Sequence, residues 1–152
     1  MIRLSRLADY GVVLMTHIAA SSEPLNTAHA VARATRVPEP TVGKILKALS
    51  RGRLLVSQRG ANGGYTLARP PTEISVTEII AALDGPIALT ECLDADTGPC
   101  WLENVCPTRS NWQKINNALR RALEDISLAD MVEPIPPYMI APVGDETRRP
   151  AP

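Results

Sequence analysis

Three cysteines lie close together in the second half of the chain, and their spacing is typical of metal ligands. Cys92, Cys100 and Cys106 are separated by seven and five residues, and the chain has no other thiols. An odd number of cysteines in a reducing compartment argues against a disulfide framework. Thiolates in one loop favour a soft metal or an iron–sulfur cluster, whereas the lack of a CxxC pair disfavours structural zinc. A thiol redox switch, or cysteines without a special role, stay open as alternatives.

An iron–sulfur cluster usually takes four protein ligands, so three cysteines leave one position for another side chain. The candidates are acidic or imidazole groups: Asp9, His17, His29, Glu91, Asp94 and Glu103. His17 and His29 are the only histidines, and a lone histidine is more often a surface or core residue of a helix than a ligand. Spacing alone therefore leaves the fourth ligand open.

Positive charge is concentrated in the first half of the chain, although the formal net charge is zero. Residues 1–70 contain ten Lys and Arg against three acids, whereas residues 71–152 contain six against thirteen. A basic half attracts polyanions, so this distribution favours nucleic-acid contact by the first half. A chance gradient over a solvated surface is the alternative.

The elements that must carry these residues are predicted as three short helices followed by a hairpin. Apolar residues recur at helical spacing over 3–20, and Asn26 or Thr27 can cap a second helix. A third helix begins near Pro38 and Pro40 and ends near Arg51. Strands at 54–57 and 65–67 enclose a Gly-rich turn. This order predicts a mainly α protein with a winged helix-turn-helix, a two-stranded β wing and a third helix that reads DNA.

The predicted contacts with double-stranded operator DNA follow from that geometry. A helix fits the major groove, where Thr41, Lys44 and Lys47 face base edges. Arg51 and Arg53 at the helix end suit phosphates, and Arg59 at the base of the wing turn suits the backbone or a narrow minor groove. The predicted DNA-binding residues are Arg3, Thr41, Lys44, Lys47, Arg51, Arg59 and Asn62.

The second half of the chain is predicted to hold the cysteines and a pairing surface on a long helix that runs from Thr108 or Ser110 to about Ile126. Ser75 can cap a fourth helix that Gly85 and Pro86 end. On the long helix that follows the cysteines, four apolar residues recur at steps of four, three and four, namely Ile115, Leu119, Ala122 and Ile126 (the seam). We predict that the seam is a homodimer contact rather than the core face of an ordinary amphipathic helix. The predicted segments are a DNA-binding domain at 1–85, a cysteine loop at 86–107, a long C-terminal dimerisation helix at 108–132 and a flexible Pro-rich tail at 133–152.

Several stretches resemble the Rrf-two (Rrf2) family of bacterial transcription regulators. The stretch 59–70, RGANGGYTLARP, is similar to the family's wing signature, and Arg3-Leu4-Ser5 with Asp9-Tyr10 resembles its first helix. The stretch 74–86 resembles the next helix, and the resemblance covers about residues 2–132. Three loop cysteines before a long dimer helix mark the iron–sulfur sensors of this family. These include IscR, the nitric-oxide sensor NsrR and regulators of the SUF cluster-assembly operon, and this chain looks like the last of these.

The resemblance implies a homodimeric repressor or activator whose DNA binding depends on a 2Fe–2S or 4Fe–4S cluster held by Cys92, Cys100 and Cys106. Of these two we expect a repressor, acting on cluster-assembly (SUF) genes. Arg109 replaces the histidine ligand of IscR. Asp9 matches an aspartate that completes the NsrR site from the partner subunit, so Asp9 is the predicted fourth ligand. The first cysteine gap is longer than in those proteins, and Gly43 replaces a base-discriminating acid of IscR.

Other classes of protein fit the sequence less well. A length of 152 residues fits one domain, and no apolar run reaches membrane-spanning length. We see no signal peptide and expect a cytoplasmic protein. No catalytic residues are predicted, because no nucleophile–base set or phosphate-binding loop is present. The alternatives left open are a cluster-free winged-helix regulator that responds to thiol oxidation or a small ligand, and a carrier protein for iron–sulfur clusters.

Overall fold

The computed structural model describes residues 3–60, 62–93, 100–102 and 105–133. Within these ranges the chain forms six α-helices and one antiparallel two-stranded sheet. The elements are α1 (Arg6–Ala20), α2 (Ala28–Thr35), α3 (Glu39–Arg51), β1 (Leu55–Gln58), β2 (Gly64–Leu67), α4 (Val76–Asp84), α5 (Arg109–Glu124) and α6 (Leu128–Val132). The predicted fold class, a mainly α winged helix-turn-helix with a β wing, is confirmed.

Hydroxyl side chains set where several helices begin. The Ser5 hydroxyl accepts the backbone N–H of Ala8 at 3.0 Å, so α1 begins at Arg6 rather than at residue 3. Thr27, not Asn26, caps α2. Ser75 caps α4 as predicted, in a reciprocal capping box with Glu78. Each cap satisfies backbone donors that the helix leaves without a partner.

An aliphatic core joins the first three helices. Leu14 and Met15 of α1 and Leu46 and Leu49 of α3 are completely buried in it. Leu128 of α6 is also completely buried in the same cluster, so the end of the described chain returns to α1. The inner face of α3 is therefore fixed, which also fixes the direction of its outer face.

The predicted dimerisation segment, 108–132, contains two helices, and the long helix predicted to end near Ile126 is the first of them. The helix α5 ends at Glu124 and α6 begins at Leu128. The Ser127 hydroxyl accepts the Asp130 N–H at 3.2 Å, and the Asp130 carboxylate accepts the Ser127 N–H at 2.8 Å. This capping box starts a new helix, which the apolar periodicity alone did not reveal.

Three of the four seam residues are exposed, Ile115 and Ala122 on α5 and Ile126 just beyond its end, whereas Leu119 is half-buried. The side chains of Ile115 and Ile126 are 49% and 39% exposed, and Ala122 is exposed as well. Leu123, on another face of the helix, packs against the small cluster that α1 and α4 form with Ala8. Most of the seam is thus not covered by the described part of its own chain, and its role in dimerisation stays a prediction.

The wing is attached to the helices by hydrogen bonds at both ends. Asn26, before α2, exchanges two backbone hydrogen bonds of 2.9 Å with Tyr65 of β2. After β2, Arg69 donates to a Glu78 oxygen at 2.7 Å. Burial raises the pKa of Glu78, but the Ser75 backbone N–H and the Arg69 guanidinium outweigh burial and lower it. The Glu78 carboxylate therefore stays charged and joins the wing to α4.

Part of the sequence lies outside the described residues. The predicted tail lies outside the described residues from position 134 onward, as do the candidate ligands Asp94 and Glu103. Among the helices in the described part of the chain, none combines the length and the apolar character needed to cross a bilayer.

Replacing glycine by alanine is expected to have opposite effects on stability at two positions. A Cβ at Gly63 would overlap the carbonyl oxygen of Gln58 and lie 2.9 Å from that of Gly60, whereas a Cβ at Gly43 would meet nothing within 4 Å. We expect Gly63→Ala to lower the free energy of unfolding by about 1–3 kcal/mol, because backbone must shift. We expect Gly43→Ala to raise it by about 1 kcal/mol, because alanine is the better helix former. Urea unfolding of both variants measures the difference, and equal effects would contradict the wing geometry.

Candidate nucleic-acid interface and cysteine loop

The outer face of α3 presents a row of positive charge. Lys44, Lys47 and Arg51 are exposed on it, and Thr41 is half-buried in the first turn. Their spacings of three and four residues place them on one side of the helix. Opposite to them lie the buried side chains Val42, Ile45, Leu46 and Leu49. The helix is thus anchored on one face and free to approach a polyanion with the other.

A cavity of about 300 Å³ lies between the end of α3 and the wing. It is lined by Lys47, Ser50, Arg51, Ser57 and Tyr65. Two cationic groups together with hydroxyl donors form a set of groups that suits phosphate oxygens. The sequence analysis missed Ser50, Ser57 and Tyr65, because only tertiary packing brings them beside the two basic residues.

The other predicted DNA contacts lie at the wing turn and at the start of the chain. Arg59 and Asn62 are exposed on either side of Gly60, whose φ of 117° requires glycine. Arg53 adopts a left-handed conformation with φ 61° directly after α3. Arg3 is exposed but lies apart from this group, at a second cavity beside Asp84 and Leu119. Lys47 and Arg51 therefore line the same cavity beside α3, whereas Arg3 lies at a different cavity.

The three cysteines are free and half-buried. The Sγ of Cys92 lies 3.2 Å from the Thr90 hydroxyl, and the Sγ of Cys106 lies 3.4 Å from the Thr108 hydroxyl. Over the described residues, no three His, Cys, Asp or Glu side chains are arranged to hold a metal ion. The donor set is chemically suited to iron–sulfur ligation, but the structure does not bring the three sulfurs together.

The thiol of Cys106 is more acidic than an ordinary cysteine. The Thr108 hydroxyl and backbone N–H stabilise the thiolate, and Arg109 adds to this, so the pKa of Cys106 is lowered. All of these groups lie at the start of α5, where helix N–H groups favour negative charge. Cys106 is therefore suited both to metal ligation and to oxidation.

The candidate fourth ligands have different surroundings. Asp9 is exposed in the first turn of α1, and the structure does not group it with the cysteines of its own chain. His29 Nδ1 lies 3.0 Å from Glu39 Oε2, a contact that joins α2 to the start of α3. His17 lies half-buried in the last turn of α1. Asp9 stays a prediction as a ligand supplied by a partner subunit.

A buried asparagine connects α5 to the segment before the first cysteine. Asn116 is 7% exposed, donates from Nδ2 to the Ile87 carbonyl at 3.0 Å and accepts the Leu89 N–H at 3.0 Å. The sequence analysis missed it, because an asparagine within a helix is usually a surface residue. The available signal was its position three residues before Leu119 of the seam, on a helix with few apolar residues.

Comparison with known proteins identifies the family. The family model Rrf2, described as an iron-dependent transcriptional regulator, matches residues 4–134. The chain belongs to the Rrf2 family. The resemblance inferred from the wing and the first helix is thereby confirmed. As a member of this family, the chain is a DNA-binding transcription regulator.

Individual relatives of this Rrf2 protein carry several regulator names. An HTH-type transcriptional regulator of Mycobacterium tuberculosis is 34% identical, with 96% of this chain and 91% of the relative covered. The regulator NsrR of Oceanobacillus iheyensis is 28% identical, with 86% and 89% covered.

Two solved structures are similar to it over most of their length. CymR of B. subtilis, described as the global cysteine regulator, has a TM-score of 0.68 and 28% identity, with 87% of this chain and 97% of CymR covered. IscR of T. potens has a TM-score of 0.65 and 29% identity, with 91% and 96% covered. Both support the winged-helix architecture.

The cavity beside α3 predicts a specific salt effect. Each phosphate that a protein cation neutralises releases counterions, so losing one contact lowers the slope of log K against log salt by about 0.9. We expect Lys47→Ala to reduce the slope by about that amount on a duplex of random sequence. The control is Lys114→Ala, which removes an exposed base from α5 and is expected to leave the slope unchanged. Equal slopes for both variants would exclude Lys47 from the interface.

The surroundings of Cys106 predict a pH effect. Thr108→Val removes the hydroxyl that stabilises the thiolate, so we expect the pKa of Cys106 to rise. In protein that also carries Cys92→Ala and Cys100→Ala, the pH dependence of alkylation by iodoacetamide then moves to higher pH. Thr72→Val, at an exposed threonine distant in sequence, is the control. An unchanged alkylation profile for Thr108→Val would show that the hydroxyl does not stabilise the thiolate.

Proposed function

We propose that this Rrf2 protein is a transcription repressor whose operator affinity is controlled by an iron–sulfur cluster, and that it regulates SUF cluster-assembly genes. The observation that carries the proposal is a set of three free, half-buried thiols between α4 and α5. Its support is the family model, which is described as iron-dependent, and the likeness to NsrR and IscR. Such a regulator works on DNA in the cytoplasm.

The proposed ligands are Cys92, Cys100 and Cys106, with Asp9 supplied by the partner subunit. When bound, the cluster would supply sensitivity to iron supply, oxygen or nitric oxide, because its occupancy depends on them. The thiols of the three cysteines are half-buried and free of disulfides, so they are available as ligands. Asp9 is exposed on α1, as a ligand donated to another subunit must be.

The proposed dimer uses the exposed seam of α5. Two copies paired through Ile115, Ala122 and Ile126 would cover apolar side chains that lie in solvent in the single chain. Winged-helix dimers set their recognition helices about one DNA turn, roughly 34 Å, apart. Both α3 helices must then engage together for full affinity, so a small change in pairing geometry has a large effect on binding.

A cluster-free regulator that responds to thiol oxidation is the second candidate. Two observations favour it: the lowered pKa of Cys106, and the likeness to CymR, which is described as a cysteine regulator. A thiolate is the form of cysteine that oxidants attack. The two candidates share the same cysteines and differ in whether iron is present.

The test uses fresh protein prepared without air and a duplex that the protein selects from a random-sequence pool. We expect a coloured protein with iron and acid-labile sulfide, and duplex affinities that differ at least about tenfold between loaded and apo forms. Cys92→Ala, Cys100→Ala and Cys106→Ala are expected to abolish the iron content and this difference. Ser110→Ala, at an exposed serine of α5, is the matched control, and Asp9→Ala is expected to lower the iron content.

The outcomes separate the two candidates. Iron-free protein that binds the duplex at full affinity would overturn the cluster proposal. If that protein then loses affinity on diamide oxidation and regains it on reduction, the thiol-responsive regulator is supported. Affinity that is insensitive both to iron and to oxidation would overturn both candidates.

A further inference from the structure

The side chain of Asn116 is the only buried one on α5. The side-chain amide spans the backbone of residue 88, because it donates to the Ile87 carbonyl and accepts from the Leu89 N–H, each at 3.0 Å. Two bonds to one short segment fix both its distance from α5 and its orientation. Leu89 lies three residues before Cys92, so this segment is the start of the cysteine loop.

Two other contacts of α5 are made with α4 and α1 and not with the cysteine loop. Leu123 packs on the cluster of Ala8, Val76 and Ile80, and the Arg120 carbonyl accepts the Thr77 hydroxyl at 3.3 Å. Both hold α5 on α4 and α1. The two hydrogen bonds of Asn116 attach α5 to the start of the cysteine loop at residues 87–89. A displacement of the loop start therefore reaches α5 through this amide.

For this attachment, the hydrogen-bonding groups of the Asn116 side chain matter more than its volume. A buried amide in an apolar setting is costly unless its donor and acceptor are both satisfied, and here both are. Hydrogen bonds of this kind are directional, so rotation or translation of the 87–89 segment breaks them instead of being absorbed. An apolar side chain of similar volume fills the same space but lets the segment slide.

We propose that Asn116 is the positioning residue that couples the state of the cysteine loop to α5, and thereby to the pairing of the two subunits. This inference rests on the proposed function, but it applies both to cluster loading and to thiol oxidation. A change at Cys92 moves the 87–89 segment, Asn116 transfers that movement to α5, and the spacing of the two α3 helices changes.

The test compares Asn116→Leu and Asn116→Asp with the same changes at Asn117, the exposed neighbour on α5. The quantity measured is the ratio of duplex affinities between the two cysteine states, loaded and apo or reduced and oxidised. We expect the ratio of the wild type and of both Asn117 variants to be about tenfold or more. In Asn116→Leu it is expected to fall towards one, while the helical circular dichroism and duplex binding are retained.

The aspartate variant provides a signature that a packing role would not give. A carboxylate at position 116 still accepts from Leu89, but it repels the Ile87 carbonyl. Burial raises the pKa of such a carboxyl. As the pH falls through that pKa, the protonated group donates to the Ile87 carbonyl. We therefore expect the ratio of duplex affinities of Asn116→Asp to approach the wild-type ratio at low pH. Asn116→Leu is expected to show no such recovery.

Hydrogen exchange at Leu89 gives a second readout that does not depend on DNA. We expect its amide to exchange faster in Asn116→Leu than in Asn117→Leu. A full wild-type affinity ratio in Asn116→Leu, together with unchanged exchange, would overturn the coupling alone. A wild-type ratio of one would overturn the proposed function and the coupling with it. If Asn116→Leu fails to fold, Asn116→Asp compared with Asn117→Asp still decides between these outcomes.

Discussion

The packing of α3 against α1 is the interaction on which the rest of the structure depends. Leu46 and Leu49 are completely buried against Leu14 and Met15 in a core without phenylalanine. Because the inner face of α3 is held this way, its outer row of cations has one direction in space. Leu128 of α6 enters the same core, so the segment beyond α5 is tied to the same helices. The C-terminal end of α5 is thus connected, through α6, to the same core that holds α3, the proposed DNA-reading helix.

A few polar contacts fix what the apolar core cannot. Hydrophobic burial is non-directional, so it sets which elements meet but not how a loop is oriented. The wing is oriented by the Asn26–Tyr65 backbone pair and by Arg69 on Glu78. The start of the cysteine loop is oriented by Asn116. These contacts lie at the joints between the helices and the segments that carry function, which is where directional bonds are most useful.

The sequence allowed most of the fold to be predicted, and its failures have identifiable causes. Apolar periodicity and the caps at Thr27 and Ser75 act within a few residues of the chain, so α1 to α4 and the wing could be predicted. The end of α5 near Ile126 could also be predicted, but the short helix α6 was missed because its start depends on one side chain, the Ser127 cap. The partners of Asn116 are 27 and 29 residues away, and spacing along the chain carries no information about such contacts. The presence of three cysteines predicted metal-ligand chemistry, but the distances between their sulfur atoms depend on tertiary structure.

The size of the proposed coupling agrees with the contacts that would transmit it. A tenfold change in duplex affinity corresponds to about 1.4 kcal/mol. Each hydrogen bond of a buried amide contributes about 0.5–1.5 kcal/mol net, so the two bonds of Asn116 together are of the required size. The remaining contacts of α5 with α4, through Leu123, need not change. A sensor placed between the DNA-binding helices and the pairing helix can therefore act by straining two hydrogen bonds, without unfolding any helix and without altering the residues that contact DNA.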